Sequence, residues 1–203
     1  MAGFERAATR VLKLEGGYQS NPSDKGNYNS LRQNVGTNYG VSARLYEDWI
    51  GRPPSVADMK AITKALALRI YRERFWNKIN GDAIRDQALA ELVFDGAINH
   101  GVYRSLVLLQ EVLGVPTTGA INSATLTAIN SGNAASVYNA YRQRRIKFYN
   151  SLVSADPSQG VFLKGWLSRM EQFKDYVASK AGSFGLFLSL LAGGFIIYKS
   201  YYK

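Results

Sequence analysis

The sequence predicts an all-α or strongly α-dominated α+β fold with at most a small hairpin, and three observations carry that expectation. Apolar residues recur at helical spacing along most of the chain. Glycine, asparagine and proline interrupt those runs where helices would stop. No stretch reads as a convincing strand, and no segment repeats another.

Phe4, Ala7, Ala8, Val11 and Leu14 form the stripe of a first helix, and Gly16-Gly17 ends it. Glu15 follows Val11 by four residues, so its side chain lies along the apolar stripe, in the last turn and near the negative end of the helix dipole. Burial and the dipole both disfavour the charged form, and each raises the pKa towards the range of a proton donor. The plainer reading is an exposed glutamate at a frayed helix end. Residues 19–40 are rich in Asn, Ser, Gly and Tyr and form a long loop region with room for a short hairpin. A loop of that length inside a compact domain is often functional.

Residues 41–49 suit a short helix, broken by Gly51-Arg52-Pro53-Pro54. Ser55 and Asp58 suit a helix start, and Met59, Ile62, Leu66 and Ile70 mark one helical face running towards Phe75-Trp76. Asn80-Gly81-Asp82 is a turn and the candidate boundary between two halves. Leu89, Leu92, Val93 and Ala97 then make a buried face ending at Asn99-His100-Gly101, and Leu106, Leu109 and Leu113 make the next, ending at Gly114. Ser123 caps a short helix, Val137, Tyr141, Phe148 and Leu152 place a longer one, and Phe162, Trp166, Met170, Phe173 and Val177 outline another.

The 203 residues leave room for one or two domains with a hydrophobic core, and 25 basic against 15 acidic residues give a net charge of +10. Such a balance favours a polyanionic partner: nucleic acid, an anionic membrane or a bacterial envelope. Nucleic acid is not expected, because the basic residues are scattered and no binding motif accompanies them. The cluster Arg142, Arg144, Arg145 and Lys147 either leans on anionic wall or lipid or is a solvated helix face. The absence of cysteine excludes disulfides and thiolate metal sites. With His100 alone, no metal cluster or cofactor is expected, and His100 itself reads as a hydrogen-bonded turn residue. Residues 1–17 carry five charges and no unbroken apolar run, so no secretory signal is expected.

Residues 181–198 are uncharged and bounded by Lys180 and Lys199; as a helix they would span about 27 Å, the reach of a transmembrane anchor over 181–199. Gly185, Ser189 and Gly193 make a small-residue stripe for helix–helix self-association, and Tyr198, Tyr201 and Tyr202 suit an interfacial belt. The expected location is therefore a single-pass membrane protein with membrane lipid as a partner.

Glu15-Gly16-Gly17-Tyr18, then Asn21-Pro22-Ser23-Asp24-Lys25-Gly26, then Thr37-Asn38-Tyr39-Gly40-Val41 together resemble the signature of glycoside hydrolase family 108, the phage and bacterial N-acetylmuramidases. Phe94-Asp95-Gly96-Ala97-Ile98-Asn99-His100-Gly101, Leu109-Gln110, Thr118-Gly119-Ala120-Ile121 and Phe162 to Arg169 look like the peptidoglycan-binding region that follows the catalytic part in that family. The likeness covers about residues 4–173. Residues 27–35 are interposed where family members pass from the Asp to the Thr-Asn pair in a few residues.

The resemblance implies a lysozyme-like helical fold, with residues 1–80 as the catalytic region and residues 81–178 as a peptidoglycan-binding region that completes it. It implies an endo-N-acetylmuramidase that cleaves the MurNAc–GlcNAc bond of bacterial peptidoglycan, with Glu15 as general acid. By analogy with phage-type lysozymes, Asp24 would stabilise positive charge on the sugar or activate water, and Thr37 would position that water; Asp24 otherwise simply organises a turn. Tyr18, Asn38, Tyr39 and Asn99 are the expected substrate-binding residues. The positive-inside rule would face the enzyme towards the cytoplasm. Two settings answer that: a phage virion membrane, with virion proteins as partners and action during infection, or the host inner membrane with action at lysis. The alternatives are a lytic transglycosylase on the same substrate and an inactive membrane-anchored virion protein.

Overall fold

Short polar side chains decide where most helices begin. Ser42 accepts from the Leu45 amide, Thr63 from Leu66, Asp86 from Leu89, Asn122 from Thr125 and Asn133 from Ser136, while Ser55 and Asp58 form a reciprocal capping box. The computed structural model describes residues 1–12 and 17–176. Its helices are α1 (Phe4–Val11), α2 (Ala43–Ile50), α3 (Val56–Lys60), α4 (Lys64–Tyr71), α5 (Gln87–His100), α6 (Val102–Leu113), α7 (Ser123–Ser131), α8 (Ala134–Ala155) and α9 (Gly160–Glu171). A π turn, Arg72–Trp76, continues α4. The expected hairpin is reduced, among the described residues, to isolated antiparallel bridges: Gln19 with Thr37, Tyr28 with Asn34 and Asn38 with Val41.

Helix α5 is the axis of the molecule, because every residue from Gln87 to Ala97 is buried and α1, α6 and α8 all pack on it. Gly96 lets α6 and α8 approach closely: a Cβ there would lie 2.5 Å from the Tyr141 hydroxyl and 2.8 Å from Ser105 Oγ, which bond each other at 2.7 Å. On the opposite side α1 is fixed by Phe4, whose ring meets Trp76 and Phe94 edge-on at 5.9 and 6.0 Å. Polar ties reinforce the contact. Arg10 reaches the buried Glu91 carboxylate at 2.7 Å, and Gln87 bonds both the amide and the carbonyl of Gly3.

Three expectations change. The single helical face from Met59 towards Trp76 is broken at residues 61–63, where Thr63 starts α4 afresh. At the broken end the Asn38 side chain donates to the carbonyls of Met59, Lys60 and Ile62, of which Met59 also accepts from the Ile62 amide in the closing turn.

The basic cluster on α8 is neither a docking face nor wholly a solvated one. Arg145 is fully buried against Asp95, Arg142 is largely buried and bonds the Met170 carbonyl and Glu171, and Arg144 pairs with Glu111. Their partners arrive from α5, α6 and α9, which the spacing along α8 does not reveal.

The C-terminal transmembrane helix is not supported. Among the described residues no helix is long and apolar enough to cross a membrane, and residues 181–199 lie outside them. The longest described helix, α8, is interrupted by Arg142, Arg144, Arg145 and Lys147. With that helix the single-pass membrane location, the membrane-lipid partner and the virion partners lose their support. The fold class is corrected to a mainly helical one with no membrane-spanning helix among the described residues.

Candidate active site

The site grows from the point where the chain leaves α1. That helix ends with the Leu12 amide bonded to the Ala8 carbonyl, and its direction is set by the Arg10–Glu91 pair and by the Arg10 guanidinium over the Phe173 ring at 5.0 Å. Glu15, with Leu14 and Gly16, lies outside the described residues. The chain resumes at Gly17-Tyr18 and pairs at once with the segment beginning at Gly36.

Gly36 is what permits that pairing. Its φ is +85°, and a Cβ would lie 2.4 Å from the Tyr18 ring and 2.7 Å from the Gln19 carbonyl. Glycine therefore lets Thr37 come alongside Gln19, whose amide and carbonyl exchange bonds with those of Thr37 at 2.9 and 2.8 Å. Tyr18 stays half-buried with the Lys60 ammonium 5.0 Å from its ring centre.

Asp24 caps the 3-10 turn Lys25–Asn27. Its Oδ1 accepts from the Gly26 amide at 2.8 Å, and its Oδ2 accepts from the Gln19 side chain at 2.8 Å. Asp24 thus organises a turn and also belongs to the same network as Thr37; the two roles are compatible. Thr37 is 2% exposed, and its Oγ1 has no hydrogen-bond partner among the described residues. A buried hydroxyl of that kind is a costly feature unless something else approaches it.

Asn38 fastens the loop rather than opening onto a cleft: its amide donates to Met59, Lys60 and Ile62 carbonyls, and its buried Oδ1 is unpaired among the described residues. Tyr39 and Gly40 form the two-residue turn between Asn38 and Val41, with φ of +46° and +75°. Positive φ at both positions suits the twist of a tight hairpin. The Tyr71 hydroxyl then holds the Gly40 carbonyl. Asn99 is not part of this network; it sits near the end of α5 and donates to the Asp95 carbonyl at 2.7 Å.

The interposed residues fold away on their own neck. The Asn27 carbonyl accepts from both Val35 and Gly36, at 2.9 and 3.1 Å, so the chain leaves and returns at one atom. Further out, Asn29 binds the Pro54 carbonyl, and the Ser30 amide binds Glu47. The segment therefore closes on itself at Asn27, immediately before Gly36 and Thr37.

Gln19 and Asn27 were not among the expected site residues. They carry no charge and belong to no capping or catalytic pattern, so only their company in an Asn-rich loop hints at them. A groove of about 460 Å³ between α1 and α4 is lined by Phe4, Ala8, Leu12 and Leu68, with Glu5, Lys64, Arg69 and Arg72 among its polar residues. Among the described residues none of the expected site residues lines it, and its carboxylate, Glu5, is 84% exposed and lies 3.5 Å from Arg72. The candidate site is the Gln19–Asp24–Thr37 network.

At the far end of α5, His100 has Nδ1 3.5 Å from the Tyr149 hydroxyl, and its Nε2 is shut off from solvent with no partner among the described residues. Burial, and then Arg145, Arg104 and Arg169, hold its pKa well below the ordinary value.

Comparison with known proteins divides the chain in two. Residues 8–101 match the glycosyl hydrolase 108 family, and residues 104–171 match a predicted peptidoglycan domain. The stretch from Phe94 to Gly101 thus falls inside the first match. A solved structure of Brucella abortus SagA is 33% identical, with a TM-score of 0.70, over 84% of this chain and 90% of that one. Egg-lysin of Haliotis corrugata is 33% identical over 84 residues, 40% of this chain and 54% of that protein, so the chain spans about half the length of the curated relative it matches.

Proposed function

Because the chain belongs to glycosyl hydrolase family 108, with a predicted peptidoglycan domain behind that region, it is a glycoside hydrolase, and we propose that it cleaves the MurNAc–GlcNAc bond of bacterial peptidoglycan. The observation that carries the assignment of the site is the joining of Asp24 to Thr37 through Gln19, four residues after Glu15 in the chain.

In this reading Glu15 donates its proton to the glycosidic oxygen as the bond to the sugar's anomeric carbon breaks. Positive charge develops on the ring, and Asp24 either stabilises it or takes a proton from the water that adds to the anomeric carbon. The products are two sugar ends, one carrying a new reducing hydroxyl from water. Thr37 offers the water an oxygen that no other described group uses. Tyr18 and Tyr39, both half-buried, offer ring faces to sugars.

The test is digestion of purified peptidoglycan by the full chain, with the product ends identified by mass spectrometry. Reducing N-acetylmuramic acid ends, absent with Glu15→Gln, are the expected result. Anhydro ends would instead identify a lytic transglycosylase, absence of cleavage an inactive scaffold, and normal digestion by Glu15→Gln would remove Glu15 from the mechanism. Carboxyl groups about 6.5–9.5 Å apart predict inversion, and about 5 Å retention, so the anomer first released, read by NMR, reports that separation.

A further inference from the structure

We propose that Gln19 is the positioning residue of this site, holding Asp24 and Thr37 in one register; the inference rests on the roles given to those two residues above. Its main chain is paired with Thr37 in both directions, and its side-chain amide meets Asp24. No other residue among those described bonds both.

The amide is fully committed. Nε2 donates to Asp24 Oδ2 at 2.8 Å and to Asn27 Oδ1 at 3.0 Å, while Oε1 accepts from the Asn21 amide at 2.9 Å and from Asn27 Nδ2 at 3.1 Å. A primary amide has two donors and two lone pairs, and here all four are used. Rotating it by half a turn would set oxygen against the Asp24 carboxylate and nitrogen against the Asn21 amide. The side chain therefore has one orientation, and it transmits that orientation to Asp24.

Asn27 acts as the counterweight. It is fully buried, forms a reciprocal amide pair with Gln19, donates to the Asn21 carbonyl, and closes the neck of the insertion with its own carbonyl. The Gly26 amide fixes Asp24 Oδ1 independently. With one donor on each oxygen, a carboxylate that has about four lone-pair sites keeps two for water or sugar. Gln19 sets the direction in which those two point.

Gln19→Glu discriminates this role from simple support. It preserves the chain pairing with Thr37 and the two acceptor bonds, and it replaces both donors by an oxygen facing Asp24 and Asn27. Steady-state kinetics of the full chain on solubilised peptidoglycan should show kcat lowered by about ten- to a hundred-fold, the range expected for a misplaced group, with KM nearly unchanged. Thermal unfolding should move by only a few degrees. In an Asp24→Asn background, on its residual turnover, the same substitution should add no further loss.

Unaltered kcat in Gln19→Glu, or equal losses in both backgrounds, overturns the proposal. Gln19→Met, which keeps only the main-chain bonds, gives the same readout if Gln19→Glu folds poorly. The underlying reading fails separately: activity in Glu15→Gln removes it whatever Gln19 does, whereas dead Glu15→Gln and Asp24→Asn beside an intact Gln19→Glu remove only the role of Gln19.

Discussion

The carboxylate of Asp95 and the guanidinium of Arg145 meet at 2.6 Å with both side chains entirely buried. Arg169, a quarter exposed, takes the other carboxylate oxygen at 2.6 Å. Asp95 lies in the region matched to the glycosyl hydrolase, and both arginines lie in the region matched to the peptidoglycan domain. The ion triad is therefore a joint between the two regions, and motif residues that resemble a binding signature serve to weld α5 to α8 and α9.

Asp95→Ala should destabilise the protein by about 3–5 kcal/mol, because it leaves Arg145 charged and buried without its counter-ion. Denaturant unfolding of wild type and variant measures it. A loss below about 1 kcal/mol would mean that the joint is held by apolar packing alone.

Acid should weaken the same region in two stages. Burial and the neighbouring arginines depress the His100 pKa, so its contribution is fully present above the unfolded value of about 6.5 and declines as pH falls below it, by about 1.4 kcal/mol per pH unit. For Asp95, burial pushes the pKa up, but Arg169 and Arg145 more than offset it and hold the carboxyl below its ordinary value. Its contribution is present above about 3.9 and is lost as pH falls from there. Unfolding free energies from pH 8 to pH 3 should show both limbs, and His100→Phe should abolish the upper one.

Thr37→Val should separate stability from activity. The hydroxyl is buried and unpaired among the described residues, so replacing it with a methyl of the same shape should leave stability unchanged or raise it by about 1 kcal/mol. If Thr37 positions the water, turnover should fall at the same time. Full activity in a folded Thr37→Val protein would end that role.

Gly36→Ala should cost both. The substitution forces a Cβ at positive φ into the Tyr18 ring and the Gln19 carbonyl, with about 1–3 kcal/mol of backbone strain before any clash is counted. Thermal unfolding and wall digestion should fall together, whereas Gly51→Ala, also at positive φ but with open space around it, should reduce stability alone.

Replacing residues 29–33 with two glycines should spare activity. Tyr28 and Asn34 already form a bridge, which a two-residue turn can close, and the Asn27 neck is untouched. Loss of the bonds to Pro54 and Glu47 should lower stability by about 1–2 kcal/mol. Activity reduced in proportion to the stability loss would be unremarkable; abolition in a folded protein would assign the insertion a direct part in binding.

The sequence by itself determined the helical class, the helix start at Ser55 and the ordered set of motifs around Glu15, Asp24 and Thr37, whereas the cap expected at Ser123 is Asn122. These are local matters: apolar spacing, short polar caps and glycines act within a few residues of themselves. Only the tertiary structure decided that Asn38 would plug the break between α3 and α4, that Arg145 would be buried against Asp95, and that Gln19 would bind Asp24 and Thr37 together. Each of those depends on groups far apart in the chain, or on an uncharged amide whose four bonds exist only after the loop has closed. Hydrogen-bond direction and burial arise from packing, and a linear pattern of residue types does not carry them.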